Sequence, residues 1–261
     1  MTLGHHICLR LSNDAVIAAT PEDRRTLARV VLEKCREADL LAFGQADNQL
    51  HIAAACDRGL GGKLAHAVEV SLQRRLTLDV PFAPAFIKPI ADARHRYSTF
   101  RYVLRQQAHH QLDADPLREA SNLPDLLGLR ALGGYTRANV RRLLPRIRRA
   151  DLLELLGVPD LAPSVSPLDR VVAATLAAAA LPVLTGCGTE VQAARRALVE
   201  VVGGRIAAAA LASWIGVSER TLFRLKAGGC DEELVRAVRL QLNLLNQLPA
   251  ATAPLDAAFS S

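Results

Sequence analysis

Leu40-Leu41-Ala42-Phe43-Gly44-Gln45-Ala46-Asp47-Asn48-Gln49-Leu50-His51-Ile52-Ala53-Ala54-Ala55-Cys56 is the stretch that orders the first half of this chain. Two short apolar runs, Leu40 to Gly44 and Leu50 to Cys56, flank the turn-forming pair Asp47-Asn48, and together they read as a β-hairpin. Upstream, Pro21-Glu22-Asp23 follows Thr20. Thr can cap a helix, Pro fits its first position, and two acids face its positive end. Leu27, Val30, Val31, Lys34 and Cys35 continue that helix at helical spacing, and His6 to Leu11 before it is extended in character. Downstream, Gly59, Gly61 and Gly62 open a second helical pattern through Leu64, Val68 and Leu72. Pro81 and Pro84 break the chain, Ala85 to Ile90 reads as a strand ending near Pro89, and Asp92 is placed to cap the next helix.

Strand, helix, two-stranded hairpin, helix, strand, helix is an α+β order. It predicts a ferredoxin-like antiparallel sheet with helices on one face, over residues 1–112. Such a fold hosts many functions and selects none.

At 261 residues the chain is long for one compact domain and comfortable for two. Half of it is apolar and only 4% aromatic, and the abundance of Ala and Leu leans toward helix. A net charge of +6 favours a polyanionic partner. The five cysteines, Cys8, Cys35, Cys56, Cys187 and Cys230, lack metal-type spacing and read as reduced intracellular thiols. The apolar run from Val171 to Leu184 is broken by Pro182 and is short of the ~20 residues a membrane span needs, so a buried helix and no membrane partner are expected.

Residues 113–167 read as a basic helical connector. Ser121 to Leu127 resembles a capped helix start, Gly133-Gly134 breaks the pattern, and six arginines follow: Arg137, Arg141, Arg142, Arg146, Arg148 and Arg149. No acid intervenes before Asp151, which points to phosphate contact, although Pro145 interrupts the segment. Ala162 to Pro167 is the expected linker. Residues 168–248 read as a helical domain and 249–261 as a disordered tail. Within the helical domain, 208–227 follows a helix-turn-helix pattern. Leu211, Ile215, Val217, Leu222 and Leu225 would lock two helices, Gly216 would take the left-handed turn position, and Ser218 would cap the second helix. That leaves Glu219, Arg220, Thr221, Arg224 and Lys226 to face a groove in duplex DNA, and Ser218 at the helix start is expected to contact it as well.

Chemistry concentrates at two pairs. Tyr102 and Gln106 lie four apart, on one face of a helix, and Gln49 and His51 lie two apart, on one face of a strand. A His, two carboxamides and a phenol converging on one place point to phosphodiester chemistry. Singly these residues are ordinary: a Tyr on an amphipathic helix usually packs, and a strand His usually sits in a core. Tyr97, off the Tyr102 face, reads as packing, and the adjacent His109 and His110 point to different helix faces.

With these residues in place, the chain resembles the single-tyrosine HUH transposases of the REP-associated branch, over roughly residues 4 to 112. The supporting segments are His5-His6-Ile7-Cys8-Leu9-Arg10, Gln49-Leu50-His51, Phe86-Ile87-Lys88-Pro89-Ile90 and Arg101-Tyr102-Val103-Leu104-Arg105-Gln106. The resemblance implies single-strand DNA cleavage and strand transfer by Tyr102 through a 5′-phosphotyrosine bond. It also implies a Mg²⁺ or Mn²⁺ ion on Gln49, His51 and Gln106. The departure is at Gln49, where the family has the first His of His-hydrophobe-His. One His and two amides carry no negative charge, so weak metal binding is expected. Two readings follow: an enzyme acting on hairpin-forming single strands, or a descendant that binds DNA without cutting it. An RNA-binding sheet is a weaker third, because exposed aromatics for base stacking are scarce. The resemblance places the protein in the cytoplasm, at the nucleoid, and the family contains monomers and dimers, so a homodimer is one expected assembly.

Overall fold

The computed structural model describes residues 2–109, 115, 118–156, 168–203 and 206–247. The linker expected at 162–167 and the tail expected at 249–261 lie outside them. The fold is α+β: a four-stranded antiparallel sheet and, among the described residues, eleven helices. The chain divides into two compact units, Met1–Leu127 with Gly133–Gly157, and Gly128–Leu132 with Val158–Ser261.

The hairpin forms as expected, β2 (Leu40–Ala46) and β3 (Gln49–Ala54) meeting at Asp47-Asn48. Asp47 takes a left-handed φ of +53°, which a short polar side chain tolerates. β1 (His5–Arg10) pairs antiparallel with β3 on one side and with β4 (Phe86–Pro89) on the other, giving the spatial order β2-β3-β1-β4. Helix α1 (Pro21–Lys34) begins with the full capping box of Thr20 and Asp23. Helix α2 (Arg58–Arg75) is capped by Asp57, whose carboxylate accepts from the Leu60 N–H at 2.8 Å.

Side chains on paired antiparallel residues share a face. His5, Ile7 and Leu9 therefore point to one side, and His6, Cys8, Gln49 and His51 to the other. Helix α2 lies on the first side, with Gly61 close to His5 and Ile7, and packs against α1. Helix α3 (Ala93–His109) crosses the second side over β2 and β3. Helices thus cover both faces, not the single face expected from the element order. The physical reason is that β2 is buried at every residue, Gln45 included, so each of its faces needs cover. Phe100, Val103 and Leu104 supply the apolar stripe of α3, and Gly44 lets the helix come close. A Cβ on Gly44 would lie 2.9 Å from the Val103 carbonyl oxygen.

The outer edge of β2 is closed by residues from the segment read as a connector. Gln45 N–H donates to the Ala120 carbonyl (2.9 Å), and Asn122, fully buried, pairs with Leu41 and Phe43. The unit is completed by α4 (Leu123–Leu127), α5 (Gly134–Leu143) and α6 (Arg149–Leu156).

The second unit packs α7 (Leu168–Ala179), α8 (Thr189–Val202) and α11 (Glu232–Gln247) around small side chains such as Ala174, Ala178, Ala194 and Ala197. The apolar run from Val171 to Leu184 is α7 and its exit, and no described helix is long and apolar enough to cross a membrane. Two short helices, α9 (Ala208–Trp214) and α10 (Glu219–Ala227), pack against each other, and α10 lies on α8.

Candidate active site

The β1–β3 register sets Cys8 opposite His51 and His6 opposite Ala53, which brings His6 and His51 side by side beneath α3. That helix starts at Asp92, whose carboxylate accepts from the His95 N–H at 2.8 Å. Nearly three turns later Tyr102 comes over the histidine pair. Its ring meets His51 edge-on, with centroids 5.6 Å apart and planes at 78°, and meets His6 in the same way at 5.8 Å. The two imidazoles are themselves 5.2 Å apart, with His6 Nε2 and His51 Nδ1 separated by 3.1 Å. Edge-to-face rings at these distances attract through their quadrupoles and hold one another in place.

Of the residues marked in the sequence, Tyr102 and His51 are therefore together. Tyr102 is 48% exposed and His51 only 4%, so the phenol reaches solvent while the imidazole is held in the sheet. Gln49 is on the same face, but its side-chain oxygen accepts the Cys8 thiol at 3.5 Å. Gln106 is buried and donates Nε2 to the Tyr102 carbonyl at 3.3 Å, one turn back on its own helix. Tyr97 is half-buried and its hydroxyl accepts from Arg101 at 3.1 Å.

The residue missed in the sequence is His6. Its ring forms two of the three contacts of the cluster, and no spacing rule links position 6 to position 51 or 102. Only the strand register does. Burial pushes the His6 pKa down to about 4, helped by the positive charges of Lys88 and His95. At neutral pH His6 is thus uncharged and keeps one N–H and one lone pair. Among the described residues no three His, Cys, Asp or Glu side chains come together as a metal cage. The donors on this sheet face are the imidazole nitrogens of His6 and His51, the Gln49 carboxamide oxygen and the Cys8 thiol, whose pKa burial raises.

The arginine segment is divided by its own turn. Arg137, Arg141 and Arg142 are on α5, Arg146 and Arg148 follow in the turn after Pro145, and Arg149 starts α6. Arg142 bonds Asp39, and Arg149 donates to the Leu127 carbonyl at 3.0 Å, so these two exposed side chains are engaged within the unit. Arg137 is half-buried. Arg141, Arg146 and Arg148 are exposed and make no side-chain bond among the described residues.

In the second unit Ser218 caps α10, accepting from the Thr221 N–H at 3.2 Å, and its hydroxyl also meets that of Thr221 at 3.0 Å. Both hydroxyls are thus engaged in the cap. The turn before it is a Schellman motif: Gly216 at φ +66°, Val217 N–H to the Ala212 carbonyl, Gly216 N–H to that of Ser213. Leu211, Ile215, Leu222 and Leu225 are buried. Val217 is only partly covered. Glu219, Arg220, Arg224 and Lys226 are exposed, and so is Phe223, at 57%, between the two arginines. The sequence signal for Phe223 was available: it is three residues from Arg220 and off the Leu222–Leu225 face.

Comparisons with family models, with curated proteins and with solved structures return no match to this chain.

Proposed function

We propose that this protein is a DNA strand transferase of the single-tyrosine HUH type, in which Tyr102 attacks a phosphodiester of single-stranded DNA. The observation that carries the reading is the Tyr102 ring seated on His51, a half-exposed phenol against a sheet-held imidazole. The order β1-α1-β2-β3-α2-β4 with spatial order β2-β3-β1-β4 supports a ferredoxin-like core beneath it.

In the step proposed, Tyr102 Oη forms a bond to phosphorus and the P–O3′ bond breaks. The 3′-oxygen leaves with a proton and the 5′-phosphate stays on the protein. A free phenol has a pKa near ~10, so its proton must move as attack proceeds. His6, uncharged at neutral pH, lies under the ring beside His51 and offers an imidazole lone pair for that transfer. A Mg²⁺ or Mn²⁺ ion on His51 and the amide oxygens of Gln49 and Gln106 would, when bound, polarise the scissile P–O bond. With no carboxylate in that set, the ion would depend on substrate phosphate. The test is incubation of the full chain with a hairpin-bearing single strand and Mn²⁺. A covalent adduct is expected, and peptide mapping should place the nucleotide on residue 102. A phosphotyrosine mapped elsewhere would overturn the assignment.

The second reading, DNA binding without cleavage, is favoured by one observation: the Gln49 oxygen faces the Cys8 thiol. Binding of the hairpin with no adduct under any divalent ion would select it.

For the second unit we infer a helix-turn-helix, supported by the glycine turn and the capped α10, with Arg220, Phe223, Arg224 and Lys226 toward duplex DNA. Arg220 and Arg224 make no side-chain bond among the described residues, so both guanidinium groups are available to phosphate. The double variant Arg220→Ala/Arg224→Ala is expected to weaken duplex binding and to lower its log–log salt slope by about 2. Unchanged slope and affinity would remove α10 from the DNA interface.

A further inference from the structure

We propose that His6 supplies the second imidazole of a divalent-metal site, binding the ion together with His51 and taking the place of the ring that position 49 lacks. The inference rests on the strand-transferase reading and changes the ligand set assigned within it.

Three observations carry it. First, His6 Nε2 and His51 Nδ1 face each other at 3.1 Å. Two nitrogens bound to one tetrahedral ion at ~2.0–2.1 Å lie about 3.3 Å apart. The pair needs to spread by only a few tenths of an ångström to admit the ion between them. Second, both rings are carried by rigid backbone. β1 is paired on both sides, with β3 and β4, and β3 is paired with β1 and β2. Sites on such strands keep their spacing better than sites on loops. Third, a half-exposed Tyr102 stands over the pair, its ring edge-on to both imidazoles. A phosphate oxygen entering beside the phenol would find free coordination positions on the ion, as catalytic metal sites require.

Position 49 is accounted for at the same time. Its carboxamide oxygen receives the Cys8 thiol, so it lines the floor beside His51. Two imidazoles also change the expected ion. Nitrogen donors favour Zn²⁺, Co²⁺ and Mn²⁺ over Mg²⁺, which prefers oxygen ligands and holds its waters.

The experiment is metal titration of the full chain without DNA, using Co²⁺ absorption and Zn²⁺ calorimetry. Exposed Cys187 and Cys230, and the partly exposed Cys8 and Cys56, are replaced by Ser throughout, so that thiols do not compete. One ion per chain is expected. His6→Asn and His51→Asn should each weaken it at least about tenfold, and Gln49→Ala should change it little. Loss of binding in Gln49→Ala with full binding in His6→Asn would overturn the proposal, as would no bound ion in the parent. Should His6→Asn fail to fold, Mn²⁺ broadening of histidine ring resonances in the parent chain decides the matter. His6 and His51 must broaden before His66, and equal broadening of all histidines overturns it. The Tyr102 adduct assay is scored separately, so a missing metal site and a missing strand transfer give different results.

Discussion

Tyr102→Phe is expected to abolish the covalent DNA adduct and to cut strand cleavage by at least about 10⁴-fold, the scale on which losing a nucleophile acts. The substitution removes one oxygen and leaves the ring. Its edge-to-face contacts with His6 and His51 belong to the ring, so the helix keeps its seat on the sheet. Because the phenol is half-exposed, stability should change by no more than about 0.5 kcal/mol. Binding of the single strand should also persist. Gel detection of the adduct, beside unfolding and binding curves for the same preparation, separates these quantities. Cleavage that survives in Tyr102→Phe would mean that water attacks, and strand transfer would be ruled out. His51→Ala is the companion: it removes an imidazole buried in the sheet, so it should lower both cleavage and stability.

The second large effect is on folding. Asn122→Ala is expected to destabilise the first unit by about 3 kcal/mol, near 10 °C in Tm for a unit of this size. Asn122 Oδ1 accepts from the Phe43 N–H at 2.9 Å, and its Nδ2 donates to the Leu41 carbonyl at 3.1 Å. Its own N–H donates to the Phe43 carbonyl at 3.2 Å. The side chain thus acts as a piece of strand, satisfying the Leu41 and Phe43 part of a buried edge whose neighbouring groups pair with Ala120 and Asn139. Alanine would leave one donor and one acceptor without partners in the core. Denaturant unfolding of the two proteins measures the difference, and a loss under about 0.5 kcal/mol would show that water replaces the bonds.

Much of the first unit can be read locally. The hairpin follows from two apolar runs around Asp47-Asn48, α1 from the Thr20 capping box, and α3 from Asp92 at its start. His51 and Tyr102 are found for the same reason. Each belongs to a short periodic segment whose faces are set by repeats of two or about four residues. The face of Gln49 was also right, but its engagement with Cys8 depends on another strand. Basic residues at 137–149 were visible as charge. That Arg142 and Arg149, themselves exposed, are engaged by Asp39 and the Leu127 carbonyl, while Arg141, Arg146 and Arg148 make no such contact among the described residues, was not.

Local patterning in this chain therefore settles which segments are strands or helices, and which way the side chains at 49, 51, 102 and 106 turn, because these follow from backbone repeat and capping within a few residues. Pairing between distant strands settles the rest. It lays His6 beside His51 across 45 positions of sequence, sends α3 over the second sheet face, and recruits Asn122 to close the β2 edge. Hydrogen bonds and packing between segments far apart in sequence have no local period, and they are formed only once the core has closed.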